Sequence, residues 1–312
     1  MKLATYLHNE AVSCGIITEK GIIDIPSSTH SKVRLHTIRE ILVRGDSAMA
    51  EITGLADSAE DFIQIDDVKL LAPIPRPGKV IGLAGNYEKH IIEAGLKLGL
   101  SHSPRSTTVP RPFLMPATVI TGPDTKIPWP SFSEQIDYEV ELAVVIGKLA
   151  KCVPPTQALD YVAGYCIAND ISARSVTFME NRRERPWDEF FDWLNGKWAD
   201  AFLPMGPYLT TADEIDDVQD LDLQLTVNDK VRQKANTYQM IFPVADIVSF
   251  LSYLMTLEPG DVIATGTPEG VAMATGKFLQ PGDKIQCKIK NLGTLTNTLA
   301  DRPGQFYKPL KK

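Results

Sequence analysis

The sequence predicts an α+β protein that is mostly β: a small N-terminal α/β domain over residues 1–72, then a larger domain over 73–312 built on a rolled or barrel-like mixed sheet. Three observations predict it. Short apolar runs bounded by Gly, Pro, Asn and Asp recur from Phe113 onward, which is strand patterning. Beyond the first domain one long amphipathic helical stretch stands out, Pro243 to Met255. Between the two parts, Pro73-Ile74-Pro75-Arg76-Pro77-Gly78 enforces an extended connector, because proline fixes its own φ and biases the residue before it away from helix.

In chain order, Lys2 to Leu7 reads as a strand, and Val12 to Thr18 turns through Glu19-Lys20-Gly21 into Ile22 to Ile25 as a hairpin. Thr37 to Leu55 has helical spacing, with Ile38, Ile41, Leu42, Met49, Ile52 and Leu55 facing inward. Gly45 can stop one helix and Asp46 or Ser47 can cap the next, so two short helices are expected. After the connector come a short strand from Lys79 to Leu83, a helix from about Tyr87 to Leu98, and a polar loop from Gly99 to Pro112 that could act as a lid. Strands then follow at Phe113 to Met115, Thr118 to Thr121, Asp137 to Gly147, Tyr161 to Asn169, Tyr208 to Thr210, Leu223 to Val227, Val262 to Thr265, Lys284 to Ile289 and Thr294 to Leu299. Asn228-Asp229 has hairpin chemistry.

At 312 residues the chain can bury a sizeable core, and a formal net charge of -7 argues against a nucleic-acid binder, which normally carries a basic face. No secretory leader and no run of apolar residues long enough to span a membrane is evident, so a cytoplasmic protein is expected. Cys14, Cys152, Cys166 and Cys287 lack the close spacing of a zinc knuckle and suit free thiols.

The most informative stretch is Asp137-Tyr138-Glu139-Val140-Glu141-Leu142-Ala143-Val144-Val145-Ile146-Gly147. Alternate side chains of a strand share a face, so Glu139 and Glu141 can grip one hard cation if a third oxygen arrives; a solvent-facing acidic stripe is the equal alternative. Asp170, at the end of the apolar run Tyr161 to Asn169, can supply that oxygen or simply cap a following helix. Three carboxylates without His or Cys favour magnesium, manganese or calcium over zinc. His90 and Glu93 lie three apart on a helix and can form a base dyad, though a surface pair arises easily by chance. Lys197 follows Asn195-Gly196 in an aromatic-rich loop, where a lone lysine is ordinarily a surface charge. Thr265-Gly266-Thr267-Pro268-Glu269-Gly270 is a turn whose backbone N–H groups could hold a carboxylate, and it lacks phosphate-loop spacing.

Taken together, Gly85-Asn86-Tyr87-Glu88-Lys89-His90-Ile91-Ile92-Glu93, Asp137 to Glu141, Asn169-Asp170-Ile171-Ser172-Ala173-Arg174, Gly196-Lys197, Met240-Ile241-Phe242 and Thr265 to Val271 resemble the fumarylacetoacetate hydrolase family, from about Ile74 to Leu299. The resemblance implies a β-roll catalytic domain, a homodimer and a divalent metal, usually magnesium. It assigns Glu139, Glu141 and Asp170 as metal ligands, His90 and Glu93 as the water-activating pair, Lys197 as the active-site lysine and Thr267 as a contact of the substrate carboxylate. Two departures concern the substrate: Gly85 where a larger residue is common, and Ala173-Arg174-Ser175-Val176-Thr177 where the family pattern reads Ala-Arg-Asp-x-Gln. The segment from Glu180 to Leu194, with Arg182, Arg183 and Arg185, is also longer than in short members, and reads as a solvated loop or dimer contact before a substrate contact.

The implied activity is metal-dependent hydrolysis of a carbon-carbon bond in an acylpyruvate-type 2,4-dioxo acid, resembling fumarylpyruvate, fumarylacetoacetate or a diketo-deoxy sugar acid, to pyruvate and a carboxylic acid. Oxaloacetate decarboxylation and hydration or isomerisation of an oxo acid use the same metal and enolate chemistry. A non-catalytic metal-binding scaffold is the alternative from another class.

Overall fold

A computed structural model describes residues 1–29, 35–98, 105–176, 178–179 and 182–308. Its spine is an eleven-stranded mixed sheet. Along the main path the order is Gly21–Asp24, Ala11–Thr18, Lys2–His8, Leu203–Thr211, Val162–Asn169, Val140–Ile146, Val262–Ala264, Val80–Leu83 and Pro112–Met115. All neighbours on this path are antiparallel except Val262–Ala264 with Val80–Leu83, which run parallel. A five-stranded sheet packs beside it, ordered Lys230–Asn236, Asp222–Val227, Lys284–Ile289, Gly293–Leu299 and Lys126–Ile127. A two-stranded ribbon pairs Gln135–Asp137 with Ser172–Arg174.

The Val140–Ile146 strand is buried along its whole length, which its apolar sequence, interrupted only by Glu141, anticipates. Alternation divides it between two cores. Leu142, Val144 and Ile146 enter a cluster shared with the five-stranded sheet and the Val244–Leu254 helix. Ala143 and Val145 enter the cluster built with Ile38, Ile41 and Ile52 of the N-terminal helices. Burying each large branched chain contributes about 1.5–3 kcal/mol, so this strand is the least displaceable support a site could have.

The N-terminal segment does not stand apart from that sheet. Lys2 pairs opposite Thr210 and Leu3 opposite Leu209, and the Lys2–His8 strand carries the hairpin outward from there. Two helices follow as the spacing anticipates, Ile38–Arg44 and Asp46–Ser58, the first closed by a Thr37/Glu40 capping box and ended at Gly45.

Several local expectations change. Ile120–Thr121 is a two-residue strand after a short 3-10 turn, and Tyr208 to Thr210 is the end of a longer strand, Leu203–Thr211. Asp170 caps no helix, because Ser172–Arg174 is extended and pairs with Gln135–Asp137. The aromatic-rich stretch before Lys197 is the helix Asp188–Asn195 rather than a loop. Of the loop expected over Gly99 to Pro112, residues 99–104 lie outside the described residues, as do Thr177, Glu180 and Asn181. Among the described residues no helix is long and apolar enough to cross a membrane.

Candidate metal and active site

Strand register brings the three acids together. Val140 lies opposite Asn169 and Glu141 opposite Ala168, so Asp170, just past the strand end, falls beside Glu139 and donates its backbone N–H to the Glu139 carbonyl at 2.9 Å. One carboxylate oxygen from each of Glu139, Glu141 and Asp170 lies within 4.8 Å of the other two, and all three side chains are buried. A solvent-facing stripe is thereby ruled out. Gly266, at φ 93°, donates its N–H to Glu141 Oε2 at 2.7 Å, so the turn after Val262–Ala264 fixes the second carboxylate from its backbone.

Three buried like charges need compensation, and one cation supplies part of it. The Lys197 ammonium, only 1% exposed, reaches Asp170 Oδ2 at 2.7 Å and Glu139 Oε2 at 2.8 Å. Gly196 makes this possible, because a Cβ there would sit 2.2 Å from the Ala173 carbonyl oxygen and push the backbone away. Burial alone would raise the Glu139 carboxyl, but Lys197 and then Arg174 outweigh it and bring it down to about 2. Burial holds Asp170 up at about 6 against the pull of Lys197. Burial, followed by the Asp170 and Glu139 charges, places Glu141 well above the usual carboxylate range. The cluster therefore retains unneutralised negative character beside Glu141.

A hard divalent cation fits this donor set. Asp170 Oδ1 is buried without a hydrogen-bond partner, an arrangement that costs about 1–3 kcal/mol unless a ligand meets it. Three carboxylates with no thiolate or imidazole among them match magnesium, manganese or calcium. The pH dependence follows with a definite sign. Acids whose folded pKa is raised bind more protons folded than unfolded, so the metal-free protein loses stability as pH rises from the ordinary carboxylate range through about 6. Protons compete with the cation over the same range. Adding millimolar Mg2+ or Mn2+ is expected to raise Tm more at pH 8 than at pH 5; equal shifts at both would remove the acids as the cation's ligands.

His90 and Glu93 meet on the Glu88–Leu98 helix, with Nδ1 of His90 3.3 Å from Glu93 Oε1. Glu93 is not a chance surface partner, since the Gly270 N–H donates to both its oxygens at 2.8 and 3.0 Å. Asn86 closes the arrangement by donating to the Thr265 and Phe242 carbonyls at 2.9 and 3.1 Å, which ties the start of this helix to the Gly-rich turn. Thr267 lines the same cavity, but its hydroxyl donates to the Val140 carbonyl at 2.9 Å and accepts from Gln233 Nε2 at 2.9 Å. Its one proton is already committed to the strand.

Two residues of the site carry no role in the sequence reading. The Arg174 guanidinium contacts Glu139 Oε1 and donates through Nε to Asp137 Oδ2 at 3.1 Å. Asp137, fully buried, also accepts from the backbone N–H groups of Ala272 and Met273, at 2.5 and 3.0 Å. Both stand in recognisable motifs, but only the pairing of Ser172–Arg174 with Gln135–Asp137 shows that they brace Glu139. Gln233, which accepts from the Val140 N–H at 2.9 Å, had no local signal. Arg182 and Arg185 ion-pair with Asp192 and Asp188 of the Asp188–Asn195 helix, so they hold that helix.

His90, Glu139, Asp170, Lys197 and Thr267 all open into one cavity of about 540 Å³. Comparison with known proteins places these features in context. The model of the family described as "Fumarylacetoacetate (FAA) hydrolase C-terminal" matches residues 79–300. A mitochondrial oxaloacetate tautomerase of Rattus norvegicus is 36% identical over 279 residues, 89% of this chain and 83% of its own. The crystal structure of maleylpyruvate hydrolase from Sphingobium sp. SYK-6 in complex with manganese(II) and pyruvate is 28% identical, with a TM-score of 0.75 over 97% of this chain and 100% of that one. A 5-carboxymethyl-2-hydroxymuconate delta-isomerase from Mycobacterium smegmatis is 30% identical, with a TM-score of 0.72 over 97% of this chain and 100% of that one.

Proposed function

This chain belongs to the fumarylacetoacetate hydrolase family, and from that premise we propose that it is a divalent-metal-dependent enzyme hydrolysing a carbon-carbon bond in an acylpyruvate-type dioxo acid. One observation carries the reading: His90 of the base dyad, the buried Lys197 ammonium, and Glu139 and Asp170 of the acid triad open into a single cavity. A cation held by Glu139, Glu141 and Asp170 would supply Lewis-acid polarisation of the oxo-acid oxygens.

The chain's own side chains account for the proton movements. With Nδ1 engaged by Glu93, His90 presents Nε2 as the base that takes a proton from water. The hydroxide adds to the distal carbonyl carbon, the bond from that carbon to the methylene breaks, and its electron pair leaves as the pyruvate enolate. Lys197 spends two of its N–H donors on Glu139 and Asp170, which leaves the third for the developing oxyanion. Return of the proton to the enolate carbon yields pyruvate beside the released carboxylic acid.

A second reading is favoured by the oxaloacetate tautomerase of Rattus norvegicus at 36% identity: keto-enol exchange or decarboxylation of oxaloacetate, in which His90 moves a proton at carbon and no water is added. The two separate in one assay. Acylpyruvates and oxaloacetate are incubated with enzyme and Mg2+ or Mn2+, following loss of dioxo absorbance, pyruvate release and carbon dioxide. Incorporation of labelled water oxygen into the released acid is the expected result. Enol-keto exchange of oxaloacetate without acylpyruvate cleavage would replace the hydrolase reading.

A further inference from the structure

The cavity's far wall has a chemistry of its own. Pockets of roughly 300–1,000 Å³ take ligands of drug-like size, so about 540 Å³ is generous for a four-carbon oxo acid. Beyond Glu139, Asp170 and Lys197 the lining is largely aromatic and aliphatic, including Phe113, Phe190, Trp193, Ile91 and Val176. The aromatic part starts at the reacting centre, because the Trp193 ring centroid lies 5.7 Å from the Lys197 ammonium that bridges Glu139 and Asp170. It continues without a gap: Trp193 meets Phe113 edge-on at 4.9 Å and stacks on Phe190 at 5.9 Å. The wall is also braced, since Arg182 grips Asp192 at 2.9 Å, next to Trp193 on the helix.

The same wall offers little to a second carboxylate. Arg174 is already engaged by Asp137 and Glu139, and Lys197 by Glu139 and Asp170. Arg111 and Glu189 are both exposed and both line the cavity, so their charges cancel in sum. Planar apolar groups gain from both area burial and ring-ring geometry on such a surface.

We propose that the oxo acid accepted here carries a planar apolar substituent, aromatic or conjugated, that lies on the Trp193, Phe190 and Phe113 wall. This rests on the reading of the site as an oxo-acid site, and the test separates the two. Calorimetric titration of the Mn2+-loaded protein compares pyruvate, oxaloacetate and phenylpyruvate, none of which needs to be hydrolysed to bind. Phenylpyruvate is expected to bind about tenfold more tightly than pyruvate or oxaloacetate. Phe190→Ala, at a residue 45% exposed and so safe for folding, should remove most of that margin, whereas Phe191→Ala on the same helix should keep it. Tighter binding of oxaloacetate than of phenylpyruvate, or a margin untouched by Phe190→Ala, would overturn the inference. In a parallel arm, kcat/KM is compared for benzoylpyruvate and acetylpyruvate. Turnover of neither, with the binding margin intact, would sink hydrolysis and leave the substituent preference standing.

Discussion

Glu141→Gln is expected to weaken divalent-cation binding by at least ~100-fold and to reduce turnover by ~10³ or more, because it removes a charged donor from the cation rather than a supporting partner. The amide keeps an acceptor for the Gly266 N–H, so the turn at Thr265 to Gly270 stays anchored. It also removes a carboxylate whose pKa is raised by burial and then by the repulsion of Asp170 and Glu139. The metal-free variant should therefore melt at or above the wild-type temperature while failing to gain stability from added Mn2+. Titration calorimetry and thermal shift, with and without the cation, read both effects. A variant that binds Mn2+ like the wild type would remove Glu141 from the ligand set; one that melts lower without metal would give it a structural role instead.

His90→Ala separates chemistry from metal binding. Its ring pairs with Glu93 at 3.3 Å and contacts no member of the triad through a hydrogen bond among the described residues. Cation affinity should stay within about twofold of wild type, while kcat for the acylpyruvate falls by ~10²–10⁴, the usual contribution of a positioned general base. Glu93→Gln should fall between the two, because it retains an acceptor for the Gly270 N–H but loses the charge that orients and steadies the imidazole as it gains a proton. Unimpaired hydrolysis by His90→Ala would show that another group activates water.

The acid triad was legible because two of its members lie on adjacent same-face positions of one apolar run and the third ends another. The fold class was legible for the same kind of reason, since strand alternation and turn residues are written in short windows. Lys197 was legible only through the family resemblance: its chain neighbourhood reads as surface, and the close approach of Gly196 to Ala173 is what buries its ammonium between Glu139 and Asp170. The Asp137 and Arg174 brace was hidden likewise, because it depends on the ribbon that joins residues 37 apart.

The aromatic helix shows a different limit. Asp188–Asn195 is too short for periodicity to separate it from a loop, and its stability comes from Arg182, Arg185 and the ring contacts with Phe113. The N-terminal strand likewise joins the main sheet through Leu203–Thr211, about two hundred residues away, where no local pattern could point. By itself, then, the sequence determined the donor chemistry of the candidate cation site, the candidate base and the strand-rich class, all properties of side-chain type and local spacing. Tertiary structure alone decided which charges neutralise one another, which lysine is buried and what lines the cavity, because electrostatic partners and cavity walls come from contacts between segments distant in the chain.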